Sequence, residues 1–209
     1  MPIIWQTGSI AIFLMLACGI SPVWGDGDNR YRFQLTPTEM LIVTVGSKGA
    51  GVSIKVNAST HPLNLDASTA QSLGTAEILH QLGQPIVGKE NAVVFIARYP
   101  SQRKNPMGRC GAGHEDFLLL FSFDKRQFRL QDKFLLQSCL QTLALASDGE
   151  DDPVNIVKLA SNDPLQIQAT WLGHPKYANS SQIITIRAMR FETHPDPGTE
   201  TNSPALSGR

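Results

Sequence analysis

Phe117-Leu-Leu-Leu-Phe-Ser-Phe123, the break Asp124-Lys125, and Arg126-Gln-Phe-Arg-Leu130 form the stretch that decides the fold. An apolar run of this length, bounded by polar turn residues and followed by strict alternation, reads as an antiparallel hairpin. A two-residue turn sets Phe121 opposite Phe128 and Leu119 opposite Leu130, on one side of the ladder. A four-residue turn pairs Phe123 with Phe128 instead. Both registers keep the aromatic residues together, and cross-strand pairs of this kind stabilise sheets.

Working outward, both registers bring Cys110 and Cys139 to within about two residues of opposition. Gly111 and Gly113 give that segment slack. The pair is therefore expected to form a disulfide, closing a loop of about 30 residues and contributing roughly 3–4 kcal/mol in the chain-entropy model. The rival reading is a reactive Cys110 thiolate served by His114, which needs a free thiol and an oriented base. A Cys110/His114/Glu115 metal set lacks a fourth ligand at a telling spacing, so no metal or other cofactor is expected.

The rest of the chain carries the same strand pattern. Met40–Val45 and Val52–Val56 flank Gly46-Ser-Lys-Gly-Ala-Gly51 as a hairpin with a glycine turn. A phosphate loop would need Gly-Lys-Ser/Thr opening a helix. Asn91–Tyr99, Leu165–Trp171 and Ile184–Phe191 read as further strands. Asp66–Gly83 is the one helix expected, with Leu73, Ala76, Leu79 and Leu82 as its apolar stripe. Strands joined by short turns, with too few helices for parallel crossovers, imply a mainly β, antiparallel sandwich, barrel or curved sheet with one short helix.

The termini read differently. Ile10–Ala17 is an unbroken apolar run, too short for a membrane span and right for a signal-peptide core. Residues 1–25 are read as the signal peptide, 26–193 as a single β-rich domain, and 194–209 as a disordered tail. Cleavage after Gly25 leaves 209 − 25 = 184 residues. A second cleavage reading, Met15-Leu-Ala-Cys18, would place a lipid anchor on Cys18. The expected location is the periplasm or outside the cell, where a disulfide persists.

Eighteen basic and eighteen acidic residues leave a formal net charge of zero, unlike a nucleic-acid binder. Local charge is uneven. Arg98, Arg103, Lys104 and Arg109 form a basic segment, and Ser147–Asp152 an acidic one. His174, Lys176 and Tyr177 sit in a loop between two strands. Loops carry recognition on β scaffolds, so Arg103, Lys104, Arg109, His174, Lys176 and Tyr177 are the candidate binding residues. Asn57 and Asn179 each open an Asn-X-Ser acceptor pattern for glycosylation in a eukaryotic secretory path.

His114 and Glu115 are the candidates for a hydrolase. Glu115 and Asp116 could serve as paired carboxylates, but neighbours in a strand point to opposite faces, so these two would not converge on one bond. The expectation is an exported β-rich protein that binds a protein partner in the cell envelope, as an inhibitor or immunity protein against an envelope enzyme or toxin. A periplasmic hydrolase and an envelope structural or assembly lipoprotein are the alternatives.

Overall fold

Asp124 sets the length of the central turn. Its carboxylate accepts the amides of Arg126 (2.6 Å) and Gln127 (2.8 Å), an Asx-type arrangement that closes a four-residue loop. Phe123 therefore pairs with Phe128 and Phe121 with Leu130, between β8 (His114–Phe123) and β9 (Gln127–Ser138). The two-residue turn is not adopted, and Leu119 faces Lys133 rather than Leu130. Bulges between Leu120 and Phe121 and between Asp116 and Phe117 shift the ladder further. The computed structural model of the chain describes residues 29–46, 49–87, 90–102, 110, 113–146, 155, 157–162, 164–177 and 179–198. The signal segment and Cys18 lie outside these residues.

β8 and its neighbour β7 (Glu90–Pro100) are apolar on both faces because each face meets its own core. On one face Val93, Phe95, Ala97, Leu119 and Phe121 join the first core. On the other, Ala92, Val94, Ile96, Leu118 and Leu120 join the second. Period-two alternation carries alternate side chains to opposite sides, so a continuous apolar run marks a strand between two layers.

The first core is enclosed by a meander of β1 (Asn29–Thr36), β2 (Glu39–Gly46), β3 (Gly49–Val56) and β4 (Ser59–Leu65). The β2–β3 hairpin closes at Gly46 opposite Gly49, whose φ of 115° requires glycine. β4 then joins β9 in parallel through Asn64–Gln127 and Leu65–Phe128. The strand order becomes β1-β2-β3-β4-β9-β8-β7-β5, with β5 (Ile78–Gly83) at the far edge and β6 (Ile86–Val87) also on β7. The two edges nearly meet. Gln84 donates to the Gln34 carbonyl (2.7 Å), and the Tyr31 hydroxyl donates to the Glu77 carbonyl (3.2 Å). The sheet is thus a nearly closed barrel, with Phe33 on Phe95 at 4.6 Å and Phe121 on Phe128 at 4.7 Å between ring centroids.

The helix is shorter than its sequence pattern. α1 spans Ala67–Gly74, capped by Asp66, which accepts the Thr69 amide at 2.8 Å. Ile78–Gly83, expected to continue it, instead pairs with β7. Strand alternation puts Leu79 and Leu82, three residues apart, on opposite faces, so Leu79 joins the first core and Leu82 the second; a bulge lies between Gln81 and Gly83. Fully buried Thr69 accepts the Leu130 amide at 2.7 Å, so α1 takes over as β4 stops pairing with β9.

The second sheet comprises β10 (Ala144–Leu145), β11 (Lys158–Asn162), β12 (Leu165–Gly173), β13 (Ser180–Arg187) and β14 (Arg190–Pro195). It lays Ile167, Ala169, Trp171 and Ile184 onto the second core. The Trp171 indole donates to the Leu136 carbonyl on β9 at 2.7 Å. The Phe191 amide donates to Asp132 at 2.7 Å. Each bond ties the layers together. A buried Arg98–Asp116 pair closes one end of this interface, with two contacts of 2.8 and 2.9 Å. β14 also corrects the tail boundary. His194 pairs with Ile183 and Pro195 with Gln182, while Asp196 accepts from Ser181, Gln168 and the Gly198 amide. The ladder bonds, not composition, hold residues 194–195 in the sheet; the tail from 199 lies outside the described residues. Among the described residues no helix is long and apolar enough to cross a membrane.

Candidate functional site

One end of the molecule gathers the loops that sequence reading singled out. The disulfide between Cys110 and Cys139 is present, with a Cα–Cα distance of 5.7 Å. Next to it, Ser101 donates its amide to the Gly113 carbonyl (2.9 Å), and the Gly113 amide donates to the Cys110 carbonyl (3.0 Å). The chain thus leaves β7 and returns to β8 through a tied base. Gly113 has to be glycine, since a Cβ there would lie 2.8 Å from Cys139 Cβ and 2.9 Å from its Sγ. Arg103, Lys104 and Arg109 lie outside the described residues.

From Cys139 a tight turn leads into β10. Ser138 and Leu143 exchange both backbone bonds (3.0 and 2.9 Å), and the Ser138 hydroxyl accepts the Gln141 amide at 2.9 Å. Thr142 lies against the end of β12, with its carbonyl 3.4 Å from the Cβ position of Gly173. The disulfide turn therefore bridges the basic segment's base and the His174 loop. This bridging turn carries Leu140, 52% exposed, and β12 carries Leu172, 60% exposed, one residue before Gly173. They are two of the three large hydrophobic residues exposed among the described residues. Neither was singled out from sequence. The signal was there: in Leu165–Leu172 the outward row reads Gln166, Gln168, Thr170, then Leu172.

The His174 loop is a packed turn rather than a free one. Nδ1 of His174 accepts the amides of Lys176 (3.0 Å) and Tyr177 (3.1 Å), which places the proton on Nε2 of the neutral ring. The ring lies 5.3 Å from Trp171 and 4.6 Å from Tyr177, centroid to centroid. The Tyr177 hydroxyl shares a 2.8 Å hydrogen bond with Thr193. His174 and Tyr177 are half-buried, while Pro175 and Lys176 are exposed at the tip. Burial, and then the Lys176 charge, hold the His174 pKa below its ordinary 6.5. An NMR titration of the His174 ring should therefore show a midpoint below 6.5, moving upward in Lys176→Ala. Because the fold favours the neutral ring, His174 leaves stability unaffected above its unfolded pKa. It subtracts stability as pH falls from there through the folded pKa.

His114 and Glu115 do not converge. His114 Nε2 lies 3.7 Å from Glu77, whereas Glu115 accepts from the Ser101 hydroxyl (2.6 Å) and the Leu140 amide (3.3 Å). Through these two bonds Glu115 supports the disulfide turn. Among the described residues no three His, Cys, Asp or Glu side chains cluster as metal ligands. An open cleft of about 780 Å³ between Gln84, Pro85, Leu165 and Arg187 is lined by neither His114 nor Glu115. Its titratable pair, His194 and Glu192, is 3.9 Å apart and well exposed. Compared with family models, curated proteins and solved structures, the chain matches none.

Proposed function

We propose that this chain is an exported binding protein whose recognition surface is the disulfide-pinned loop end. The observation that carries the reading is a pair of more than half-exposed leucines, Leu140 on the turn held by the Cys110–Cys139 bond and Leu172 near the end of β12, which pairs with the β10 strand that this turn runs into. Exposed large hydrophobics gathered on one rigid end mark a contact site more than scattered ones do. Lys176 is exposed at the tip of the His174 loop, and Arg103, Lys104 and Arg109 add cations to the sequence between Gln102 and Cys110. An apolar centre with a charged rim is the usual anatomy of a protein interface. The partner class is a protein of the cell envelope or exterior, with inhibition of an enzyme or toxin as the favoured role. A disulfide accords with an oxidising compartment.

The test compares wild type with Leu140→Ser/Leu172→Ser and with Arg103→Glu/Lys104→Glu. Each protein is immobilised and presented with an extract of the native compartment. A partner retained by wild type should be lost by more than about tenfold in the leucine variant. Its melting temperature should stay within a few degrees, because exposed sites contribute little stability. The arginine–lysine variant should weaken binding chiefly at low salt. Equal retention by all three proteins overturns the reading. So does turnover of an envelope substrate that His114→Ala abolishes without unfolding the chain.

A further inference from the structure

The outward face of β1–β4 takes no part in either core. Registers across the four strands set Arg30, Thr44 and Gly51 in one row, Arg32, Ile42, Ser53 and Pro62 in the next, and Gln34, Met40, Lys55 and Thr60 in the third. Their inward neighbours Phe33, Leu41, Val43, Val52 and Leu63 are buried, which fixes these rows as outward. Arg30, Arg32 and Lys55 are exposed, and Met40 and Ile42 half-exposed between them. No carboxylate occupies this face. The one acid of β1–β4, Glu39, belongs to the opposite row with Leu41 and Val43. None of the three cations forms an ion pair among the described residues.

We propose that this face is a second docking surface whose partner is an acidic protein surface. The proposal rests on the binding-protein reading but uses none of the loop-end residues. Three unpaired cations flanking a Met40–Ile42 centre complement carboxylates set around an apolar spot. Single-stranded nucleic acid fits less well, because it needs aromatic platforms and the rows hold no Phe, Tyr or Trp. An anionic membrane calls for clusters of about four to eight basic residues. Size sets the expected strength. Four strands about 4.8 Å apart and about six residues long cover roughly 400 Å². That is about half of the ~800 Å² per partner in a standard interface, so binding should be weak and salt-sensitive.

The probe is fluorescently labelled poly-L-glutamate, followed by anisotropy in an Arg103→Glu/Lys104→Glu background that silences the other basic segment. The background protein should bind at about 50 mM salt and lose most affinity by about 300 mM. Adding Arg30→Glu/Arg32→Glu/Lys55→Glu should weaken binding by at least about tenfold with an unchanged circular dichroism spectrum. If the charge-reversed chain does not fold, Arg30→Gln/Arg32→Gln/Lys55→Gln takes its place with the same expected direction. Equal affinity of background and variant overturns the proposal. Binding to phosphatidylglycerol vesicles or to oligothymidine through these residues, with none to poly-L-glutamate, also overturns it in favour of a lipid or nucleic-acid partner. Leu140→Ser/Leu172→Ser should leave poly-L-glutamate binding intact, so failure here is separate from failure of the loop end.

Discussion

Cys139→Ala should lower the unfolding free energy by about 3–4 kcal/mol. The bond joins residues 29 apart in sequence, so breaking it returns considerable freedom to the unfolded chain. With a urea slope of about 2 kcal/mol/M, the midpoint should fall by roughly 1.5–2 M. Wild type in strong reductant should behave alike, and oxidised wild type should show no free thiol among Cys110 and Cys139. The consequence for function is local. Without the bond, the Ser101–Gly113 base and the Leu140 turn keep only backbone hydrogen bonds and the Glu115 contacts. Partner binding should therefore weaken even at concentrations of urea where the protein is still folded. An unchanged midpoint in Cys139→Ala would remove the bond from any account of stability.

The cysteine pairing was legible because it follows from both registers the sequence offered, of which the four-residue turn pairing Phe123 with Phe128 is the one adopted. A two-residue turn and the observed four-residue turn differ by one rung, and two bulges shift the ladder further. Cys139 nevertheless arrives beside His114, where its amide donates to the His114 carbonyl at 3.4 Å, and the chain around Gly113 closes the remaining gap. Such slack makes a disulfide tolerant of errors that would misplace a catalytic pair. The helix error has a definite source. Leu79 and Leu82 are three residues apart, the spacing of a helical stripe, but a strand sends residues three apart to opposite faces, here into different cores, with a bulge between Gln81 and Gly83. Sequence alone offers no signal for that bulge beyond Gly83, whose added Cβ would meet Leu165 at 2.7 Å in the second sheet. The parallel β4–β9 step and the stacking of two sheets on β7–β9 depend on long-range contacts that periodicity does not encode. The loop end was half legible. Its charged and aromatic residues stand out in sequence, while Leu140 and Leu172 acquire meaning only once their exposure is known.

Trp171→Ala should be the most damaging single change at the layer interface, at about 3–5 kcal/mol. The ring is fully buried, touches Phe134 at 6.3 Å and Tyr177 at 5.5 Å between centroids, and bonds the Leu136 carbonyl. Trp171→Phe separates these contributions. It keeps most of the apolar contact but removes the indole donor, and should cost about 1–3 kcal/mol. Because His174 packs edge-on against the same indole, the two variants also test whether the loop end is organised from the core outward. Loss of the ring in Trp171→Ala should admit water around His174 and raise its titration midpoint toward the ordinary 6.5. Trp171→Phe should hold the midpoint closer to that of wild type. A His174 midpoint unmoved in Trp171→Ala, in protein that remains folded, would show that the turn is set by its own backbone bonds to Nδ1. The core would then supply only a platform beneath it.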